Sequence, residues 1–207
     1  MIKLISRKDI LADYPVMPWI TYDSKNDEEI VHMPSGAAFM VVGTSKKTFA
    51  ANVNTIWTEI KLLFKDLGFS ETLIMGAQDM PWRLPQGSYT DIRVAKAMKF
   101  FEDSGIGPKF NGAVSIPLTD FGTWFKHVSQ MVSVNALIQD MYFMDVNQSF
   151  YFSPCQYGNL HLTVMSKSLV KKFRTAILEG ELILISAKAC GLPGLSANRQ
   201  SNKTSLK

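Results

Sequence analysis

The sequence predicts an α+β fold: a single domain with a mainly antiparallel sheet packed by two to four helices, a flexible N-terminal arm and a flexible C-terminal tail. Three observations predict it. Short alternating runs such as Leu160-His161-Leu162-Thr163-Val164 recur between turn signals, the period of half-buried strands. Phe49, Val53, Ile56, Ile60, Leu63, Phe64 and Leu67 follow the 3-4 spacing of one long amphipathic helix. The chain of 207 residues, 46% hydrophobic and 11% aromatic, is long and apolar enough for one core. The expected organisation is a flexible arm over 1–35, a globular domain over 36–190 and a basic tail over 191–207.

The elements come in order along the chain. In the arm, Tyr14-Pro15-Val16-Met17-Pro18-Trp19 is extended, because each proline restricts the residue before it. Asp23, Asp27, Glu28 and Glu29 then form an acidic patch. Ala37 to Gly43 reads as a strand, and Thr44 or Ser45 as the cap of the helix from about Lys46 to Leu67, stopped by Gly68. Thr72 to Ala77 is a strand. Met80 to Gly87 is a loop, broken by two prolines and a glycine. Thr90 caps a second helix reaching Asp103, and Ala113 to Leu118 is a strand ended near Pro117. Phe121-Gly122-Thr123-Trp124-Phe125 reads as an aromatic loop tip or a helix start, before a third helix from Val128 to Ile138. Phe150 and Phe152 alternate in a strand ended by Pro154.

The stretch from Gly158 to Lys188 is the most sharply patterned. A turn at Gly158-Asn159 leads into the Leu160 strand. A helix capped by Ser166 or Ser168 turns Leu169, Val170, Phe173, Ile177 and Leu178 inward and Lys171, Lys172 and Arg174 outward. Gly180 ends it before the strand Leu182–Ile185. Strand, helix, strand suggests a crossover, while the alternation elsewhere favours antiparallel pairing.

Net charge is +4. Four cations and no acid lie from Ser186 onward, so the rest of the chain balances. Anionic partners are therefore plausible. Met1 to Asp9 has no apolar run, so no signal peptide is expected, and no window suits a spanning helix. Two cysteines, Cys155 and Cys190, make neither a disulfide framework nor a zinc site and suggest a reducing compartment.

No phosphate loop, dinucleotide fingerprint or nucleophile elbow is present. The three histidines, His32, His127 and His161, lack partners at metal-ligand spacing. Neither a catalytic nor a metal residue is assigned, and no cofactor is expected. No motif for reading a specific nucleic-acid sequence is found. Asp140 and Asp145 are read as solvating a loop.

Tyr157-Gly158-Asn159-Leu160-His161-Leu162-Thr163-Val164 resembles the late strand of rhabdovirus matrix proteins, with an aromatic residue, a glycine, then alternating aliphatics and Thr. The next segment is similar in order and spacing: Phe173-Arg174 on a short helix, Gly180, Leu182-Ile183-Leu184, then Lys188-Ala189-Cys190-Gly191. Gly112 to Pro117 resembles their central strand, and Phe39 to Thr44 leading into the Phe49–Leu67 helix resembles their domain start. The resemblance covers roughly residues 37 to 190.

It implies a structural, non-enzymatic protein lying in the virion beneath the envelope. Such a protein binds the anionic inner leaflet, associates with itself, condenses the viral nucleocapsid, meets the viral glycoprotein tail and supports budding. Host cytoplasm, membrane and nucleus are the cellular locations it implies. The membrane contacts expected are Lys3, Arg7 and Lys8 in the arm, Lys46 and Lys47 at the long helix, and Phe121, Trp124 and Phe125 at the aromatic tip. Tyr14, Pro15 and Trp19 are expected to dock on a neighbouring copy. Two departures stand out. The N-terminus is not lysine-rich, and no Pro-Pro-x-Tyr budding motif is present; Tyr14-Pro15-Val16-Met17 only loosely resembles the Tyr-Pro-x-Leu class. Two other classes compete. One is a small enzyme using Cys155 as nucleophile and His161 as base, favoured by a polar pocket joining them. The other is an adaptor binding one protein through the Met80–Leu84 loop and Trp82.

Overall fold

The alternating segments become strands that share one sheet. The computed structural model describes residues 2–83, 91–134, 138–186 and 190. In order the elements are β1 (Lys3–Ile5), α1 (Arg7–Asp13), β2 (Trp19–Asp23), β3 (Glu28–His32), β4 (Ala38–Thr44), α2 (Phe49–Asp66), β5 (Glu71–Gly76), α3 (Ile92–Asp103), β6 (Ala113–Pro117), α4 (Phe121–Ser133), β7 (Met141–Asp145), β8 (Phe150–Pro154), β9 (Leu160–Val164), α5 (Lys167–Glu179) and β10 (Leu182–Ile185). Eight strands form one sheet in the order β1-β6-β5-β7-β8-β9-β4-β10, every pairing antiparallel, and β2 and β3 form a separate hairpin. This is the α+β class expected, with five helices among the described residues. β9 and β10 flank β4, each antiparallel to it, so they run parallel with α5 as the crossover between them.

Strand alternation sorts the side chains into two layers. Met40, Val42, Ile74, Val114, Phe143, Phe152, Leu160 and Leu162 face the layer of α2 to α5 and form the main core. Leu73, Met75, Ala113, Tyr142, Met144 and Tyr151 face the other side, where Ile10 and Met17 cover them. An aromatic stack runs through the main core: Phe143 and Phe152, cross-strand partners, lie 5.0 Å apart, and Phe64 sits 4.9 Å from Phe150. Such pairs contribute about 0.5–1.5 kcal/mol each beyond their burial.

The structure corrects the flexible arm. β1 pairs with β6, Lys3 opposite Ser115. Ser6 caps α1 by accepting from the Asp9 N–H. Ile10 and Met17 are fully buried. Arg7 is buried too and donates to the carbonyls of Gly76 (3.0 Å) and Ala77 (2.9 Å) at the end of β5. Arg7 is therefore a clamp between arm and sheet, which withdraws it from lipid contact. The arm reads as loose in the sequence because its anchors are scattered among polar residues, and a short edge strand has no period to read.

The aromatic tip is corrected as well. Phe121, Trp124 and Phe125 stand at helical i, i+3, i+4 spacing on the inner face of α4 and are all buried. Phe121 packs 5.4 Å from Phe64, and Phe125 5.7 Å from Phe143. Gly122 lets α4 approach α2, since a Cβ there would lie 2.7 Å from the Trp57 ring. Their hydrophobic content builds the core, so none of the three is offered to a membrane.

Smaller corrections arise from local hydrogen bonding. Thr48, not Thr44 or Ser45, caps α2. Thr44 is buried, and its N–H and hydroxyl both donate to Asn52 Oδ1, at 3.0 and 2.8 Å. Asp91 caps α3; Thr90 lies outside the described residues. The third helix starts at Phe121 rather than Val128. Trp82 is buried and donates its Nε1–H to the Gly112 carbonyl at 2.8 Å, which removes it as an exposed adaptor contact; Leu84 lies outside the described residues. Asp145 is buried and accepts from the N–H groups of Asn147, Ser149 and Phe150, so it builds the β7–β8 turn instead of solvating a loop. The 191–207 tail lies outside the described residues.

Candidate functional site

The β8–β9 turn is closed by two backbone bonds: the Cys155 N–H donates to the Asn159 carbonyl (2.9 Å), and the Gly158 N–H to the Cys155 carbonyl (2.8 Å). Gly158 takes a positive φ of 75°, the conformation glycine adopts without penalty. The turn places Cys155 at its start, Asn159 buried at its end, and His161 just inside β9 on the face turned away from the helices. Cys190, beyond β10, joins them. Its Sγ lies 3.7 Å from Cys155 Sγ, 3.3 Å from His161 Nε2 and 3.6 Å from Asn159 Nδ2. Both cysteines are free and half-buried.

The four side chains set the charge between them. Cys190 is held well below the usual thiol range, first by the hydrogen bond from Cys155, then by those from His161 and Asn159. Cys155 is pushed far above that range by its bond to Cys190 and by burial. Both shifts arise chiefly from the one Cys155–Cys190 contact, in which either sulfur can donate. Cys190, which the sequence reading leaves out of the Cys155–His161 pair, joins it here.

Beside the cluster lies a groove of about 650 Å³ lined by Phe39, Tyr142, Tyr151, Ser153, Cys155 and His161, among others. Its lining comes from β4, β7, β8 and β9. β7 and β8 pair only through Phe143–Phe152 and Met144–Tyr151. Burial, with Asp140 and Tyr151 nearby, pushes the Tyr142 hydroxyl upward, so it stays a neutral phenol. Phe39, 57% exposed, packs edge-on against His161 at 6.0 Å. The arrangement offers a soft, partly anionic donor set next to an apolar recess.

The other expected residues fall into separate places. Lys3 pairs with Glu71 at 3.4 Å on β1, and Lys8 is exposed on α1. Lys46 pairs with Glu181 at 2.6 Å, and Lys47 is exposed in the β4–α2 connection. β1 and β10 are opposite edges of the sheet. Seven strand spacings, roughly 30 Å, separate them, so the arm and helix-start cations do not form one patch. Of the expected docking residues, Pro15 is exposed, Tyr14 is half-buried, and Trp19 stacks on His32 at 4.1 Å.

Among the described residues, α5 carries an exposed basic face. Lys167, Lys171 and Arg174 recur at i, i+4 and i+7, with Lys172 beside them, all exposed while Phe173 and Ile177 anchor the helix inward. Among the described residues none of the four forms an ion pair. The outward charge of this helix is legible in the sequence, but the membrane contacts expected from the resemblance do not include it. No helix of the described residues is long and apolar enough to cross a membrane.

Neither a protein-family model, nor a curated protein, nor a solved structure matches this chain.

Proposed function

We propose that this chain is a viral matrix protein, a structural protein that lies against an anionic membrane surface and assembles with its own copies. The observation that carries the membrane half of this reading is the α5 face, with Lys167, Lys171, Lys172 and Arg174 exposed and unpaired on a helix whose other side is locked into the core. Such a face attracts anionic headgroups without insertion. It replaces the aromatic tip, which the core occupies. For self-association, Pro15 and the outward Tyr22, Ile30 and Val31 of the β2–β3 hairpin are better placed than Tyr14 and Trp19. Condensing a nucleocapsid, meeting a glycoprotein tail and supporting budding rest on the sequence resemblance. Co-sedimentation with anionic and neutral vesicles at low and high salt tests the reading. Binding to anionic vesicles alone, weakened by salt, is expected; equal behaviour toward both vesicles removes its basis.

A second reading, a thiol-dependent enzyme, is favoured by the groove that joins Cys155 and His161. In it Cys190 is the nucleophile, His161 exchanges the proton, and Cys155 and Asn159 hold the thiolate by hydrogen bonds. Its test is the rate of alkylation by iodoacetamide at mildly acidic pH. Rapid, Cys190-selective modification is expected, and two thiols reacting only at alkaline pH end it.

A further inference from the structure

We propose that Cys155, His161 and Cys190 form a Zn²⁺ site. It goes beyond the membrane reading and stands without it, since vesicle binding and metal binding are measured on different residues.

Zn–S bonds of about 2.3 Å and Zn–N bonds of about 2.0 Å at tetrahedral angles put two sulfurs about 3.8 Å apart and a sulfur and an imidazole nitrogen about 3.5 Å apart. Here the sulfurs lie 3.7 Å apart, and Cys190 Sγ lies 3.3 Å from His161 Nε2. All three donor atoms fall within 4.8 Å of one another. Two edges of the donor triangle therefore match a tetrahedral zinc, and the third lies within 4.8 Å. Two sulfurs with an imidazole form a soft donor set, which suits zinc and not the hard, oxygen-seeking cations.

The surroundings hold the donors as a metal site requires. Asn159, fully buried, points its Nδ2 at Cys190 Sγ, the outer-shell donor that orients a ligating thiolate. Asn159 is positioned in turn by Asn52, whose Nδ2 donates to the Gly158 carbonyl at 2.8 Å and reaches Asn159 Oδ1 at 3.4 Å. Gly43 of β4 leaves the room for this, since a Cβ there would lie 2.7 Å from Asn159 Oδ1. Cys155 and His161 also line the groove, which gives the fourth coordination position a route to water or a small ligand. The ion would join the segment after β10 to the β8–β9 turn across β4, tying the edge of the sheet to its interior.

A metal-held thiolate is not a free nucleophile, so the zinc site and the free-thiolate enzyme are exclusive readings of the same atoms. The test uses the full chain, stripped by a chelator and kept reduced by a phosphine, titrated with Co²⁺ and then Zn²⁺. One equivalent of Co²⁺ should give a tetrahedral spectrum with a thiolate charge-transfer band, and one equivalent of Zn²⁺ should abolish it. Cys155→Ser and Cys190→Ser should each halve that band, and His161→Ala should abolish stoichiometric binding. Asn159→Ala should keep the stoichiometry and weaken affinity about 10–100-fold. Far-UV circular dichroism establishes that each variant is folded. An assay free of variants is alkylation of the unmodified chain with and without Zn²⁺, read by mass spectrometry, in which zinc should protect both cysteines together. Equal alkylation in both conditions, or Co²⁺ binding unchanged in the Cys155→Ser/Cys190→Ser double variant, would overturn the proposal.

Discussion

Replacing Lys171, Lys172 and Arg174 together by alanine removes three of the four cations from the outer face of α5 while leaving Phe173 and Ile177 in the core. All three side chains are exposed and none is in an ion pair among the described residues, so little folding energy is at stake. Substitutions at such positions usually stay within about 0.5 kcal/mol each, and alanine favours the helix. Against an anionic bilayer each cation contributes about 1 kcal/mol, so the triple variant should lose about 3 kcal/mol. That is about a hundred-fold drop in partitioning. The assay is co-sedimentation with phosphatidylserine-containing vesicles over a salt series, with a thermal melt of the same sample. The variant should melt with the unmodified chain, bind weakly at every salt concentration and respond less to salt, because screening acts within about 8 Å at physiological ionic strength. Unchanged binding would falsify the assignment to α5. So would a Lys3→Ala/Lys8→Ala variant that loses binding while the α5 variant keeps it, since that would return the contact to the opposite edge of the sheet.

Three further outcomes are expected. Trp124→Ala opens a cavity in the α4 layer and should destabilise the fold by about 3–5 kcal/mol in denaturant melts, while the fraction still folded binds vesicles normally; selective loss of vesicle binding in a stable protein would mean that the aromatics are a membrane tip after all. Arg7→Ala removes two charge-assisted hydrogen bonds to the Gly76 and Ala77 carbonyls and should cost about 3 kcal/mol with faster proteolysis of residues 1–13; an unchanged melt and digestion pattern would show that the arm is not clamped. His127, stacked on Phe100 at 4.3 Å, has its pKa lowered by burial and then by Lys126. Its folded pKa lies below the unfolded value of about 6.5, so its contribution is present above that pH and is lost as pH falls through the folded value. His127→Gln should flatten that part of the stability profile, and a profile identical to the unmodified chain's would count against the assignment.

The sequence by itself determines whatever depends on neighbours along the chain. The long helix is legible from Val53, Ile56, Ile60 and Phe64, and the β9–α5–β10 unit from Leu160, Leu162, Phe173 and Gly180, because periodicity and caps are local properties. The outward charge of α5 is legible for the same reason. Whether the Phe121 to Phe125 aromatics face solvent or core is not, since i, i+3, i+4 spacing fits any buried helix, and only the docking of α4 on α2 and the sheet decides it. The arm escapes a local reading because Ile10, Met17 and Arg7 acquire their meaning from β5 and β6, far along the chain. The candidate metal site is the least legible. Cys155 and Cys190 stand 35 positions apart, and nothing between them marks a pair. Only the order of strands, with β9 and β10 on either side of β4, brings the two sulfurs and the imidazole within reach of one ion. Strand order is fixed by the packing of the whole sheet, which is why no local pattern carries it.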